Sequence, residues 1–90
     1  LERLELPGGT YTYVPVGGFS QVNLPVNARL VERVLAFRAR LRAATFLDLY
    51  SGSGNFALPL AVHTDGGRLV ESAPAAIAAA RRALDEQGFA

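Results

Sequence analysis

The stretch Thr45-Phe46-Leu47-Asp48-Leu49-Tyr50-Ser51-Gly52-Ser53-Gly54-Asn55-Phe56-Ala57 constrains the fold more than any other part of the chain. Its apolar first half reads as a strand, Gly52 and Gly54 punctuate a tight turn, and Asn55 to Leu60 opens a helix. A glycine loop between strand and helix sits at the carboxyl end of a parallel strand, where open α/β sheets bind their ligands. Glycine there permits φ > 0 and keeps side chains away from an approaching ligand. The first amides of the helix have no partner inside it and add donors to the same space. The stretch reads as a ligand cradle.

The elements around it follow from local pattern. Leu1 to Leu6 alternates apolar and charged residues, Pro7-Gly8-Gly9 breaks it, and Thr10 to Val16 is rich in Thr, Tyr and Val, which predicts a β-hairpin. Tyr11 and Tyr13 fall on one face of it. Asn23 suits an N-cap and Pro25 a first helical turn, opening a long helix from Leu24 to about Leu41. Leu30, Val31, Val34, Leu35 and Leu41 recur at helical spacing, which predicts a face packed on a sheet. Arg38, Arg40 and Arg42 crowd its C-terminal end, where cations offset the helix dipole. After the cradle, Asp65-Gly66-Gly67 predicts a turn and Arg68 to Glu71 a strand. Pro74 starts an Ala-rich helix to about Glu86, closed by Gly88.

The predicted order is hairpin, long helix, then βαβα with two parallel strands, an α/β architecture. Residues 1–18 form a hairpin extension and 19–90 the front of a ligand-binding domain. Two parallel strands are few for a sheet of a kind normally buried on both faces. The count of elements therefore predicts a piece of a larger domain, with an unpaired edge that favours self-association.

Composition narrows the chemistry. The chain has 90 residues and no cysteine, so it holds no disulfide, thiolate zinc site or cysteine nucleophile, which fits a cytoplasmic protein. No apolar run approaches the ~20 residues of a membrane span, and the first residues carry no leader pattern. A net charge of +1 is too small to argue for nucleic acid from the whole chain. His63 stands alone near a helix end and reads as a capping or surface residue.

Gly52-x-Gly54-x-x-Ala57, with Glu71 roughly 20 residues on, matches the dinucleotide fingerprint. A dinucleotide and S-adenosyl-L-methionine both satisfy that pattern. Asp48 separates them, because an anion four residues before Gly52 opposes a pyrophosphate and suits a sulfonium and an ammonium. Glu71 offers two oxygens to a pair of ribose hydroxyls, which serves either ligand. Purely structural roles are also available: Asp48 as a loop-capping carboxylate, Glu71 as a cap for the Pro74 helix.

Phe19-Ser20-Gln21-Val22-Asn23, then Asn27 and Leu30-Val31, then Asp48 through Ala61, resemble the RNA uracil-5-methyltransferases, which make 5-methyluridine in ribosomal and transfer RNA. The resemblance runs from about Phe19 to Glu71. It implies a partial Rossmann-like class I methyltransferase fold, S-adenosyl-L-methionine as cofactor, and rRNA or tRNA as partner. It also implies that Gln21 binds the cofactor ahead of the long helix, that Tyr50 and Asn55 contact it from the loop, and that Glu71 holds its ribose. Where the family commonly has Phe-Cys or Tyr-Cys after Asp-Leu, this chain has Tyr50-Ser51. The family's reaction uses a cysteine thiolate on C6 of a uracil taken out of its stack, and a carboxylate-type base at C5. Both groups belong to a later half of the domain, so this chain alone is expected to be inactive. Another class I methyltransferase, a non-catalytic RNA- or protein-binding module and a nicotinamide-dependent fragment remain open on the residues alone.

Overall fold

A computed structural model describes residues 1–15, 24–49 and 51–89. Strands β1 (Glu2–Glu5) and β2 (Tyr11–Val14) form an antiparallel hairpin in which Glu2 faces Val14 and Leu4 faces Thr12. A short 3-10 turn, Pro7–Gly9, joins them, closed by the Leu6 N–H donating to the Thr10 carbonyl at 2.9 Å. Alternation puts Leu4, Leu6, Thr12 and Val14 inside and leaves Tyr11 and Tyr13 together on the other face.

Helix α1 (Leu24–Leu41) has the predicted extent, but its neighbours differ from the prediction. It packs against α2 (Ala57–His63) and the hairpin turn rather than on a sheet. Asn27 and Val31 are its buried residues, while Leu30 and Leu41, expected inside, are 51% and 75% exposed. Helical spacing marks an apolar stripe; which part of the stripe is covered depends on where the neighbour lies. At its end Arg42 takes φ 52°, and the Ala43 N–H donates to the Arg38 carbonyl at 3.1 Å. The Arg38 guanidinium in turn donates to the Ala43 carbonyl at 3.4 Å, so one of the three arginines does engage the helix end.

Strands β3 (Thr45–Leu49) and β4 (Gly66–Val70) pair in parallel, with Phe46 opposite Gly67 and Asp48 opposite Leu69. The predicted turn at Gly66-Gly67 is therefore part of β4, and Glu71 lies just past its end. Packing explains this: a Cβ on Gly67 would collide with the Phe46 ring, so glycine here makes room for an aromatic neighbour in the strand. Helix α3 (Pro74–Glu86) follows, with proline at its start as expected. The fold is mixed α/β, built on two small sheets and three α-helices among the described residues. None of those helices is long and apolar enough to cross a membrane.

The core gathers Leu4, Leu6 and Val14 of the hairpin region with Leu58 of α2 and Ala83 of α3. The outer side of the hairpin is zipped to α3 by polar groups. The Gln87 carboxamide accepts from the Tyr11 N–H at 3.0 Å and donates to the Tyr11 carbonyl at 2.7 Å, pairing with β2 as a further strand residue would. Both phenols donate to Glu86 Oε1, from Tyr11 at 3.0 Å and from Tyr13 at 2.6 Å, while the Arg82 guanidinium holds Glu86 Oε2 at 2.9 Å. Across the β3–β4 sheet the balance is reversed. Phe46 and Leu69 face the helices, whereas Leu47, Leu49 and Val70 on the other face are exposed.

Candidate functional site: the glycine loop

The loop between β3 and α2 is held residue by residue, from β4 and its tip, from β2 and from α1. Its Ser51 N–H donates to the Val70 carbonyl at 3.1 Å, carrying the parallel ladder one step past the strands. The Gly52 N–H donates to Glu71 Oε1 at 2.9 Å, which ties the loop to the tip of β4. The Ser53 carbonyl accepts the hydroxyl of Thr12, a fully buried residue of β2. Asn55 and Asn27 exchange two hydrogen bonds, Asn27 Nδ2 to Asn55 Oδ1 at 2.9 Å and Asn55 Nδ2 to Asn27 Oδ1 at 2.8 Å. Gly54, whose N–H donates to the Ser51 carbonyl at 3.0 Å, also supplies close approach: it has φ 94°, and a Cβ there would stand 2.5 Å from Leu58 Cδ2. At Gly52, φ is 57° and nothing lies within 4 Å of where a Cβ would be. The two glycines thus do different things. Gly54 lets the loop pack onto α2, and Gly52 leaves the outer side of the loop open.

Glu71 is oriented by backbone amides. Besides Gly52, its second oxygen accepts from the N–H groups of Ser72 at 3.0 Å and Ala73 at 2.9 Å, at the entrance to α3. Those donors, Ala73 foremost and then Gly52, hold its carboxyl below the usual carboxylate range. One side chain thus holds both the turn leading into α3 and the loop, while α3 itself has no side-chain cap. Asp48 is in the opposite state. It lies half-buried on the sheet face it shares with Phe46 and Leu69, and burial pushes its carboxyl up. Its Oδ2 is buried without a hydrogen-bond partner among the described residues, and so is the Ser51 hydroxyl. Ser51 and Glu71 also line a cavity of about 290 Å³ between β4 and α3, with Leu69, Ile77 and Arg81.

Of the sequence-predicted site residues, Gly52, Gly54, Asn55 and Glu71 come together in one clamped unit. Asp48 stands on the inner sheet face, and no hydrogen bond joins it to the loop among the described residues. Gln21 and Tyr50 lie outside the described residues, as does the expected cap Asn23. Helix α2 begins at Ala57 rather than Asn55, so Asn55 and Phe56 belong to the turn and the helix amides start later than expected. His63 ends α2 on the surface, and no His, Cys, Asp and Glu cluster suited to a metal occurs among the described residues. Two residues escaped the sequence reading as loop tethers, Thr12 and Asn27. A hydroxyl at an inward strand position and a carboxamide within an apolar helix face were the available signals, since buried polar groups demand partners.

A parallel strand pair, a glycine loop and an acid at the tip of the neighbouring strand define an α/β module of the kind in which open sheets carry their ligand crevice. The model of the tRNA (Uracil-5-)-methyltransferase family matches residues 1–89, and the chain belongs to that family. A tRNA/tmRNA (uracil-C(5))-methyltransferase from Pseudomonas entomophila is 38% identical over 98% of this chain and 24% of its own length. A second, from Sulfurovum sp., is 36% identical over 88% of this chain and 22% of its own. A 23S rRNA (uracil(1939)-C(5))-methyltransferase from Dichelobacter nodosus is 48% identical over 62% of this chain and 13% of its own length. The chain thus spans about a quarter or less of the curated relatives it matches.

Proposed function

We propose that the chain is the S-adenosyl-L-methionine-binding part of an RNA uracil-5-methyltransferase with a Rossmann-like domain, acting in the cytoplasm on uridine C5 of rRNA or tRNA. The observation that carries this is the clamped loop with an open outer side at Gly52, backed by the Glu71 carboxylate on the Gly52 amide. The residues present fit the cofactor. Asp48 is an acid with a buried, unpartnered oxygen, a setting that favours a cationic neighbour and disfavours diphosphate. Glu71 is fixed by three amides and keeps one lone pair, on Oε1, for a ribose hydroxyl. Asn55 keeps one amide hydrogen and one lone pair beyond its bonds to Asn27. Gln21 and Tyr50 complete the set by their place in the family's motifs.

When bound, S-adenosyl-L-methionine supplies an electrophilic methyl group. This chain's share of the reaction is to bind and orient it. The sequence contains no cysteine, so the thiolate that activates uracil is not among its residues, and the chain by itself is inactive. Leu47, Leu49 and Val70 on the open face of β3–β4 support self-association of the chain.

Calorimetric titration of the protein with S-adenosylhomocysteine and with NAD tests the cofactor. Tighter binding of S-adenosylhomocysteine is expected. Preference for NAD, or binding of neither, overturns the reading.

A further inference from the structure

The bond between Asn27 and Asn55 does more than attach a helix to a loop. Val31, one turn along the same face of α1, is 1% exposed and already supplies apolar contact. A reciprocal carboxamide pair adds orientation: it fixes the plane of the Asn55 amide and decides which of its atoms are spent and which stay free. Asn27 also lies one turn into the helix entered from the segment that carries Gln21. Its side chain therefore couples the start of α1 to the glycine loop, two stretches separated by most of a long helix and a strand.

We propose that Asn27 is a positioning residue for the cofactor, aiming the remaining amide hydrogen and lone pair of Asn55 outward from the loop. This rests on the cofactor reading given above. An apolar side chain of the same size would hold α1 in place yet leave the Asn55 amide free to rotate and its inner atoms unpartnered. The pair joins rigid elements, a helix on one side and a loop clamped at three further points on the other, so its geometry is set before any ligand arrives.

Asn27→Asp tests this with almost no change of shape. An ionised carboxylate still accepts from Asn55 Nδ2 but has no hydrogen for Asn55 Oδ1; the protonated acid restores both bonds. Relative to the unchanged protein, S-adenosylhomocysteine should bind about tenfold more weakly at neutral pH, the scale of one or two net hydrogen bonds. That ratio should recover as the pH falls through the titration of the new carboxyl. Taking the ratio cancels titrations common to both proteins, those of Asp48 and Glu71 included. Unchanged affinity, or a loss that ignores pH, overturns the proposal.

Should Asn27→Asp fail to fold, the side-chain amide hydrogens of Asn27 and Asn55 in the unchanged protein decide by exchange. Slow exchange at both is expected; exchange as fast as a free carboxamide overturns the pair. Fast exchange with S-adenosylhomocysteine still bound sinks this proposal alone. Slow exchange without S-adenosylhomocysteine binding sinks the cofactor reading, and the positioning role with it.

Discussion

The seam between the hairpin and α3 and the outer face of the β3–β4 sheet are opposites. On the seam each polar group has a partner: Gln87 completes the β2 edge, and Glu86 is shared by two phenols and a guanidinium. Arg3 and Arg82 lie over the rings of Tyr11 and Tyr13 at 3.6 and 4.0 Å from the ring centroids. The sheet face instead presents Leu47, Leu49 and Val70 to solvent, and on its inner side Asp48 keeps a buried oxygen with no partner. The contrast shows which half of the module is self-sufficient. The hairpin does not merely precede the glycine loop. It closes the core beneath the loop and pins it through Thr12.

The largest expected effect separates the two regions by equal deletions. Leu58→Ala, in the core under the loop, should cost about 2–5 kcal/mol in urea unfolding. Leu47→Ala, on the open face, should stay within about 0.5 kcal/mol. Comparable losses at both positions would break the contrast and indicate that the sheet face is covered in solution, which sedimentation at several concentrations would then show as self-association.

Thr12→Val comes next. It keeps the shape of the side chain but removes the hydrogen bond to the Ser53 carbonyl, leaving a loop acceptor without its donor for a cost of about 1–3 kcal/mol. The amide of Gly54 should exchange with solvent faster in this variant. A fully stable Thr12→Val with an unchanged loop would mean that the hairpin supports the core without holding the loop.

The smallest effects have opposite signs. Glu86 is held at about 2, against an ordinary 4.5, by the Tyr13 phenol first and then by Arg82. Its stabilising contribution is complete above pH 4.5 and disappears as pH falls toward 2, and Glu86→Gln should flatten that part of the stability curve. Asp48 is shifted the other way, because burial favours its neutral form. Its ionisation opposes folding, so its contribution improves as pH falls through its raised pKa, and Asp48→Asn should stabilise the protein slightly at neutral pH. Acid titration of the two variants against the unchanged protein reads both signs in one series. A destabilising Asp48→Asn would mean that the carboxylate has a partner in solution.

Much of the site was legible because its signals are local. Gly52 and Gly54 between an apolar strand and a helix place the loop, and Glu71 just past the next strand places the acid. Pro74 and Gly88 bracket α3 for reasons of backbone geometry alone. Other features depend on which surfaces meet. Gly66-Gly67 has the composition of a turn and becomes a strand because Phe46 needs the space above Gly67. Leu30 shares a stripe with Val31 but faces solvent, because the neighbour of α1 is α2 and the hairpin turn. Thr12 and Asn27 carry no local mark of their long-range partners.

By itself the sequence determined the order of elements, the hairpin, the parallel pair and the glycine loop with its acid, since turn chemistry and hydrophobic period act over a few residues. Only the tertiary structure decided that Glu71 holds the turn into α3 and clamps Gly52 at once, that Thr12 and Asn27 tether the loop, and that Asp48 Oδ2 has no partner among the described residues. Those outcomes depend on atoms brought together from distant parts of the chain, where burial and the saturation of hydrogen bonds set the result.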